Sequence, residues 1–163
     1  MLLAAVFVLI GPKPGIVELE QMHDQNGFCF PELGWGMRRE ELEDAVDYKL
    51  SVDVRNSDEG ELWLVGQEVI KFEGRKFVPH FQLKEGGLRR VDLWMQGHQD
   101  ETGSIVWFKE LVNKLEDQHG KGWEETSLSE CWMFGWSGGD GSSLFVEHRN
   151  SWTMPVIITV CAP

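Results

Sequence analysis

Residues 76–95, KFVPHFQLKEGGLRRVDLWM, decide how this chain folds. Two runs with alternating apolar and polar side chains flank Lys84-Glu85-Gly86-Gly87, a segment rich in the residue that tolerates positive φ. Alternation with a period of two is typical of half-buried strands. The stretch therefore predicts a β-hairpin. Pro79 lacks a ladder donor, so it predicts an edge position or a bulge in the first strand.

Similar patterns continue on both sides of this hairpin. The sequence predicts further strands over 48–54, 62–65, 69–72, 131–136, 143–149 and 155–161. Residues 37–46 and 104–119 instead show the periodicity of amphipathic helices. The connections are too short for the helical crossovers of a parallel sheet. We therefore predict an α+β fold, an antiparallel sheet with two main helices packed on one side.

The length of 163 residues suits one domain with one core. We place this domain at residues 27–163 and describe residues 1–26 as an apolar N-terminal segment followed by a polar linker. The order of elements is also compatible with two pseudo-repeats of about 70 residues, each opening with a helix.

The first ten residues, MLLAAVFVLI, are apolar without interruption and are followed by GPKPG. A run of this length cannot span a bilayer as a helix, which needs about 20 residues. It fits either the apolar core of a secretory signal or a buried first strand. The first interpretation predicts an exported protein, periplasmic or secreted, and the second predicts a cytoplasmic one.

The charge balance restricts the partners. Fifteen Lys and Arg residues against 27 Asp and Glu residues give a net charge of −12, with no basic stripe. Such a chain repels polyanions at long range, so nucleic acid is excluded as a partner and a basic protein is favoured. No segment predicts an integral membrane span, and the oligomeric state stays open.

One short motif has the spacing of a serine nucleophile. Residues 135–139, GWSGG, match G-x-S-x-G, but the following residues, DGSSLFVEHR, predict a turn and a strand, whereas a hydrolase serine opens a helix. We therefore predict that Ser137 lies beside a hairpin turn at Asp140-Gly141. The motif alone does not indicate catalysis.

The remaining residue types with site chemistry are scattered. His80 and His148 both fall in predicted strands, which leaves a shared metal site open. The cysteines have no metal-ligand spacing, although Cys131 and Cys161 could pair in an exported protein. There is no phosphate loop and no dinucleotide fingerprint. We predict no catalytic, cofactor-binding or metal-binding residue and no cofactor.

Residues 35–42, WGMRREEL, resemble the helix opening [FW]-G-M-[ST]-x-x-[EQ]-[VL] of small exported α+β proteins. These include the β-lactamase inhibitor proteins, the small lipoprotein of the outer-membrane barrel assembly machinery and uncharacterised bacterial proteins. The order of elements is similar over residues 28–161, and the resemblance implies binding or assembly without catalysis. Arg38 departs from the pattern, because those families usually place a Ser or Thr helix cap there.

The chain has eight tryptophans, several of them in predicted strands. An antiparallel sheet covered by helices on one face presents its other face to solvent, to the N-terminal segment or to a partner. The candidate partner-binding residues are Trp63, Trp94, Trp132 and Trp136. We expect a non-enzymatic exported protein that binds another protein, or supports an envelope assembly, through a Trp-rich sheet face. The alternative is a cytoplasmic domain with a small-ligand or enzyme site between sheet and helices.

Overall fold

The structure, a computed structural model, describes residues 16–58, 60–96, 101–126, 131–149 and 155–163. It is a strand-dominated α+β fold, with helices α1 (Arg39–Ala45) and α2 (Glu101–His119) and a 3-10 helix at Leu19–Gln21. The strands are β1 (Ile16–Val17), β2 (Leu50–Val52), β3 (Glu61–Gly66), β4 (Ile70–Phe72), β5 (Arg75–Lys84), β6 (Gly87–Met95), β7 (Trp123–Thr126), β8 (Trp132–Ser137), β9 (Ser143–His148) and β10 (Val156–Cys161). The predicted α+β class with a mostly antiparallel sheet is confirmed. The apolar run at residues 1–10 lies outside the described residues.

All ten described strands belong to one sheet. Its main path runs β1-β4-β5-β6-β10-β9-β8-β7, and β3 pairs with both β5 and β2. Every pair is antiparallel except β1 with β4. The short connections inferred from the sequence thus produce the predicted antiparallel arrangement, with one parallel pair added at the N-terminal edge.

The hairpin of β5 and β6 lies at the centre of this sheet, and the predicted turn is confirmed. Glu85 and Gly86 both adopt positive φ, 53° and 78°, as a two-residue hairpin turn requires. Pro79 is not in an edge strand, because β5 has neighbours on both sides, but β5 does carry the alternative feature, a register shift of the bulge type between Gln82 and Leu83. Pro79 lies between the segment of β5 that pairs with β4 and the segment that pairs with β3, so its missing donor interrupts neither ladder.

Helix α2 packs against one face of the sheet, here called the helix face. The ring centroid of Phe108 lies 5.9 Å from that of Phe134 in β8, and Trp107 lies 5.8 Å from Phe77 in β5. Strand register assigns further buried side chains to this face: Phe81, Val91, Leu93, Leu144, Val146, Ile158 and Val160. The main hydrophobic core therefore lies between α2 and the helix face.

The segment before α1 also contributes to this core. Val17 is buried, as are Leu19 and Met22 of the predicted polar linker. The ring of Phe30 contacts that of Phe81 edge to face at 6.5 Å. At the start of α1, the backbone N–H of Arg38 donates to Glu41 Oε2 at 2.8 Å. The helix cap is thus supplied from inside the first turn.

Within the described residues, no helix combines the length and the apolar character needed to cross a bilayer.

Candidate functional site

The sheet has a second face opposite α2, here called the outer face. The side chains of one strand alternate between faces, and side chains opposite each other in register share one. Register places three cross-strand rows at its centre: Trp63, Gln82 and Arg90; then Val65, His80, Asp92 and Thr159; then Val78, Trp94 and Ile157. Aromatic, charged and hydroxyl side chains therefore meet on the outer face of β3, β5, β6 and β10.

A buried carboxylate lies in the middle row. Asp92 is 2% exposed, and its Oδ1 accepts hydrogen bonds from Arg90 Nε at 2.7 Å and from Thr159 Oγ1 at 2.8 Å. Burial lowers the pKa of Arg90, but the hydrogen bond to Asp92 outweighs this effect and the pKa is raised. A buried carboxylate needs such partners, so this pair fixes the guanidinium position.

The fixed guanidinium lies against an aromatic ring. Arg90 Cζ is 5.7 Å from the centroid of the Trp63 ring, within the range of a cation–π interaction. The Trp63 ring therefore lies on the outer face beside the guanidinium of Arg90, whose position is fixed by its hydrogen bond to Asp92.

The other tryptophan of this cluster stacks on a histidine. The rings of His80 and Trp94 are nearly parallel, with centroids 4.0 Å apart and an interplanar angle of 20°. Burial lowers the pKa of His80 despite the opposing charges of Asp92 and Asp53, which favours the neutral imidazole. Among the described residues, His80 Nδ1 and Trp94 Nε1 are buried without a hydrogen-bond partner. Each such orphaned atom costs about 1–3 kcal/mol.

The other two candidate tryptophans are not on this face. Register places Trp132 and Trp136 on the helix face, opposite His148 and Leu144. Trp136 is 4% exposed and donates from Nε1 to the Gly120 carbonyl at 2.9 Å. Lys109 of α2 lies 5.6 Å from the Trp132 ring. The four candidates are therefore divided, two on each face, because alternation within β8 turns its tryptophans towards α2.

A third tryptophan of the outer face is Trp123 in β7, a strand that the sequence analysis did not predict. Trp123 is 43% exposed, and its ring contacts that of Phe145 at 5.7 Å. A Cβ at Gly135 would lie 2.4 Å from Trp123 Cε2, so the indole lies over a glycine. The pairing of a Trp in one strand with a Gly in the next, here Trp123 with Gly135, is the sequence signal that could have identified β7.

The predicted hairpin at GWSGG is confirmed. Ser137 is exposed at the end of β8, opposite Ser143 in β9, so a strand and not a helix follows the turn. Gly141 has a φ of 94°, and Asp140 Oδ1 accepts the backbone N–H of Ser142 at 2.8 Å. Ser137 therefore lacks the strand-to-helix setting of a nucleophile elbow.

The two strand histidines cannot share a metal ion. His80 lies on the outer face, whereas His148 lies on the helix face, where its ring contacts that of Phe108 at 5.4 Å. In the described part of the chain, no group of three or more His, Cys, Asp or Glu side chains has an arrangement that could hold a metal.

An open cavity of about 580 Å³ lies at the C-terminal end of α2. Its wall includes His23, Asp24, His119, Trp123 and Ser137, with glycines from the β8–β9 turn. The loop that carries His23 is docked on this turn, because the Phe28 backbone N–H donates to Ser142 Oγ at 2.6 Å. This volume is in the range of small-ligand sites.

Comparison of the chain with protein-family models, with curated proteins and with solved structures finds no match. The likeness of WGMRREEL to small exported binding proteins stays a prediction.

Proposed function

We propose that this protein is an exported, non-enzymatic binding protein whose outer face docks another protein. The binding cluster consists of Trp63, Arg90 and Trp94, which are half-buried, together with His80 and Asp92, which are buried. Tryptophan and arginine are the side chains that most often dominate binding energy in protein interfaces. Here both are held in defined positions before a partner arrives, which lowers the ordering cost of binding.

The observation that carries the proposal is the stack of His80 on Trp94. It combines an aromatic surface with two buried nitrogen atoms that lack partners among the described residues. A small rotation of Trp94 towards a partner would let Nε1 donate to a carbonyl or hydroxyl oxygen, which recovers the cost of the orphaned donor. The partner surface therefore offers an apolar patch with hydrogen-bond acceptors.

The net charge of the chain indicates a second property of the partner. The chain carries a net charge of −12, so a partner with net positive charge would be attracted at long range and associate faster at low salt. Arg90 does not reverse this preference, because its charge is paired with Asp92.

The proposal requires the outer face to be free of helices, with α1 and α2 on the same side. Leu42 of α1 is fully buried in the same core cluster as Leu64 and Phe108, and Leu64 faces the helix face in register with Phe81. These contacts support the placement of α1 and α2 on the same side of the sheet. The division into two pseudo-repeats is a further part of the hypothesis, since each half would supply one helix.

Site-specific photocrosslinking in the native host tests the binding face. A benzoylphenylalanine at position 63 should give an adduct of one defined mass, whereas the same group at Glu110, exposed on α2, should give none. Adding Trp94→Ala should weaken binding about thirtyfold and reduce the adduct accordingly, since truncating an interface anchor costs about 2 kcal/mol, while Val106→Ala should leave it unchanged. Equal adducts from both positions would contradict the proposal. An intact Met1 in the cytosol would contradict export.

A further inference from the structure

Two imidazoles from distant parts of the chain meet on the wall of the cavity. His23 follows the 3-10 helix in the loop closed by its bridge to Phe28, and His119 is the last residue of α2. Their ring centroids are 4.8 Å apart, with the rings at 87°. The folding of the N-terminal loop over the end of α2 therefore brings two ligating side chains together.

The geometry of this pair leaves an imidazole nitrogen uncommitted. His119 lines the same cavity wall as His23. His23 Nδ1 is buried and has no hydrogen-bond partner within the described part of the chain. An imidazole nitrogen without a hydrogen-bond partner can bind zinc, copper or nickel.

The surroundings also favour a cation. The pair lies at the C-terminal end of α2, where the helix dipole is negative. Asp24 adds a carboxylate to the cavity wall, and the whole chain is acidic. Lys121, the opposing charge on this wall, is an exposed side chain, so solvent screens it.

We propose that His23 and His119 form a binding site for a divalent transition-metal ion, with nickel, copper and zinc as the ions it accepts. No third ligating side chain completes the group among the described residues, so water from the open cavity fills the remaining coordination positions. The edge-to-face rings turn about their Cβ–Cγ bonds to direct one nitrogen each at the ion. The site is independent of the outer-face cluster.

Metal titration of the full chain tests this site. After treatment with a chelator, the protein is titrated with Ni²⁺ by calorimetry and with Cu²⁺ by electron paramagnetic resonance. We expect one saturable site and a copper spectrum with two coordinated nitrogens. His23→Gln and His119→Gln should each weaken binding at least about tenfold, as expected for loss of a ligand, and each should leave one coordinated nitrogen.

His80→Gln on the outer face is the matched control and should bind as the wild type does. Ni²⁺ should also raise the melting temperature of the wild type, because the ion binds the folded state alone, and this rise should vanish in the double variant His23→Gln/His119→Gln. Circular dichroism confirms that the variants fold. The proposal is overturned if the wild type shows no saturable binding at millimolar Ni²⁺, or if the double variant binds with unchanged affinity.

Discussion

Glu73 illustrates how one residue joins three parts of this molecule. It occupies the turn between β4 and β5 with a φ of 45°, followed by Gly74 at 74°. Its Oε1 accepts the Leu19 backbone N–H at 3.0 Å, and its carbonyl accepts Trp107 Nε1 at 3.3 Å. Its Oε2 accepts from Lys114 Nζ. The turn thereby connects the 3-10 helix to α2.

This carboxylate gives a pH-dependent prediction. Burial raises the pKa of Glu73, but the hydrogen bonds from Lys114 and from the Leu19 amide outweigh this effect and hold the pKa below its ordinary value of 4.5. Its contribution to stability is therefore complete above pH 4.5 and is lost as the pH falls through the folded-state pKa. Glu73→Gln should lower the free energy of unfolding by about 1–2 kcal/mol at pH 7.

The difference between wild type and Glu73→Gln should shrink as the pH falls below 4.5 and should be lost below the folded-state pKa of Glu73, where both proteins carry an uncharged side chain. Urea denaturation at several pH values measures it. Glu110→Gln, on an exposed position of α2, is the matched control and should change little. A difference between wild type and Glu73→Gln that stays constant down to the lowest pH at which both proteins still fold would show that Glu73 acts through its shape and not its charge.

Among the elements, helix α2 and the β7–β8 pair are each held in place by close packing of their side chains. Leu115 of α2 is fully buried, whereas Val106 on the same helix is 50% exposed. The β7–β8 pair depends on two glycines, because a Cβ at Gly122 would lie 2.7 Å from Trp136 Cε2 and a Cβ at Gly135 would meet Trp123. Each indole thus occupies the space that the facing glycine leaves.

The helix gives a simple stability prediction. Leu115→Ala should lower the free energy of unfolding by about 2–4 kcal/mol, because it leaves a cavity under α2. Val106→Ala, on the exposed side of the same helix, should change it by less than about 0.5 kcal/mol. Chemical denaturation with an unchanged slope measures both. Similar losses from the two variants would mean that α2 is not anchored through this face.

The elements also show which sequence signals were sufficient. α2 and the central hairpin appear close to the predicted bounds because each has a long periodic pattern and, for the hairpin, the glycines that its turn needs. β7 was not predicted, because Trp123–Thr126 is a short strand whose residues are all exposed. A half-buried alternation cannot arise in such a strand, and its pairing depends on β8.

At the scale of the whole molecule, strand register decides which side chains can meet. Cys161 lies opposite Ser143, whereas Cys131 Sγ donates to Glu147 Oε1 at 2.9 Å. Ser143 and Glu147 are four residues apart in β9, which corresponds to about 13 Å along the strand. A disulfide needs Cα atoms within about 7 Å, so the pairing considered from the sequence does not form within one chain, and the described cysteines are free.

Thiol counting checks this register. Alkylation of the denatured protein without prior reduction should modify all three cysteines of the chain, as observed by intact mass. Burial and the neighbouring Glu147 raise the pKa of Cys131 to about 11, so in the folded protein this thiol should react slowly at pH 8. A peptide that links residues 131 and 161 would contradict the sheet register.

The sequence by itself determined the class of fold, the central hairpin, the two helices and the turn beside Ser137. These features follow from periodicity and from glycine positions, which act over a few residues. Only the tertiary structure decided that Trp63 and Trp94 share a face without Trp132 and Trp136, and that His23 meets His119. Register and loop docking join residues far apart in the chain, and a one-residue shift in register reverses every side chain of a strand. Local patterns do not encode such contacts.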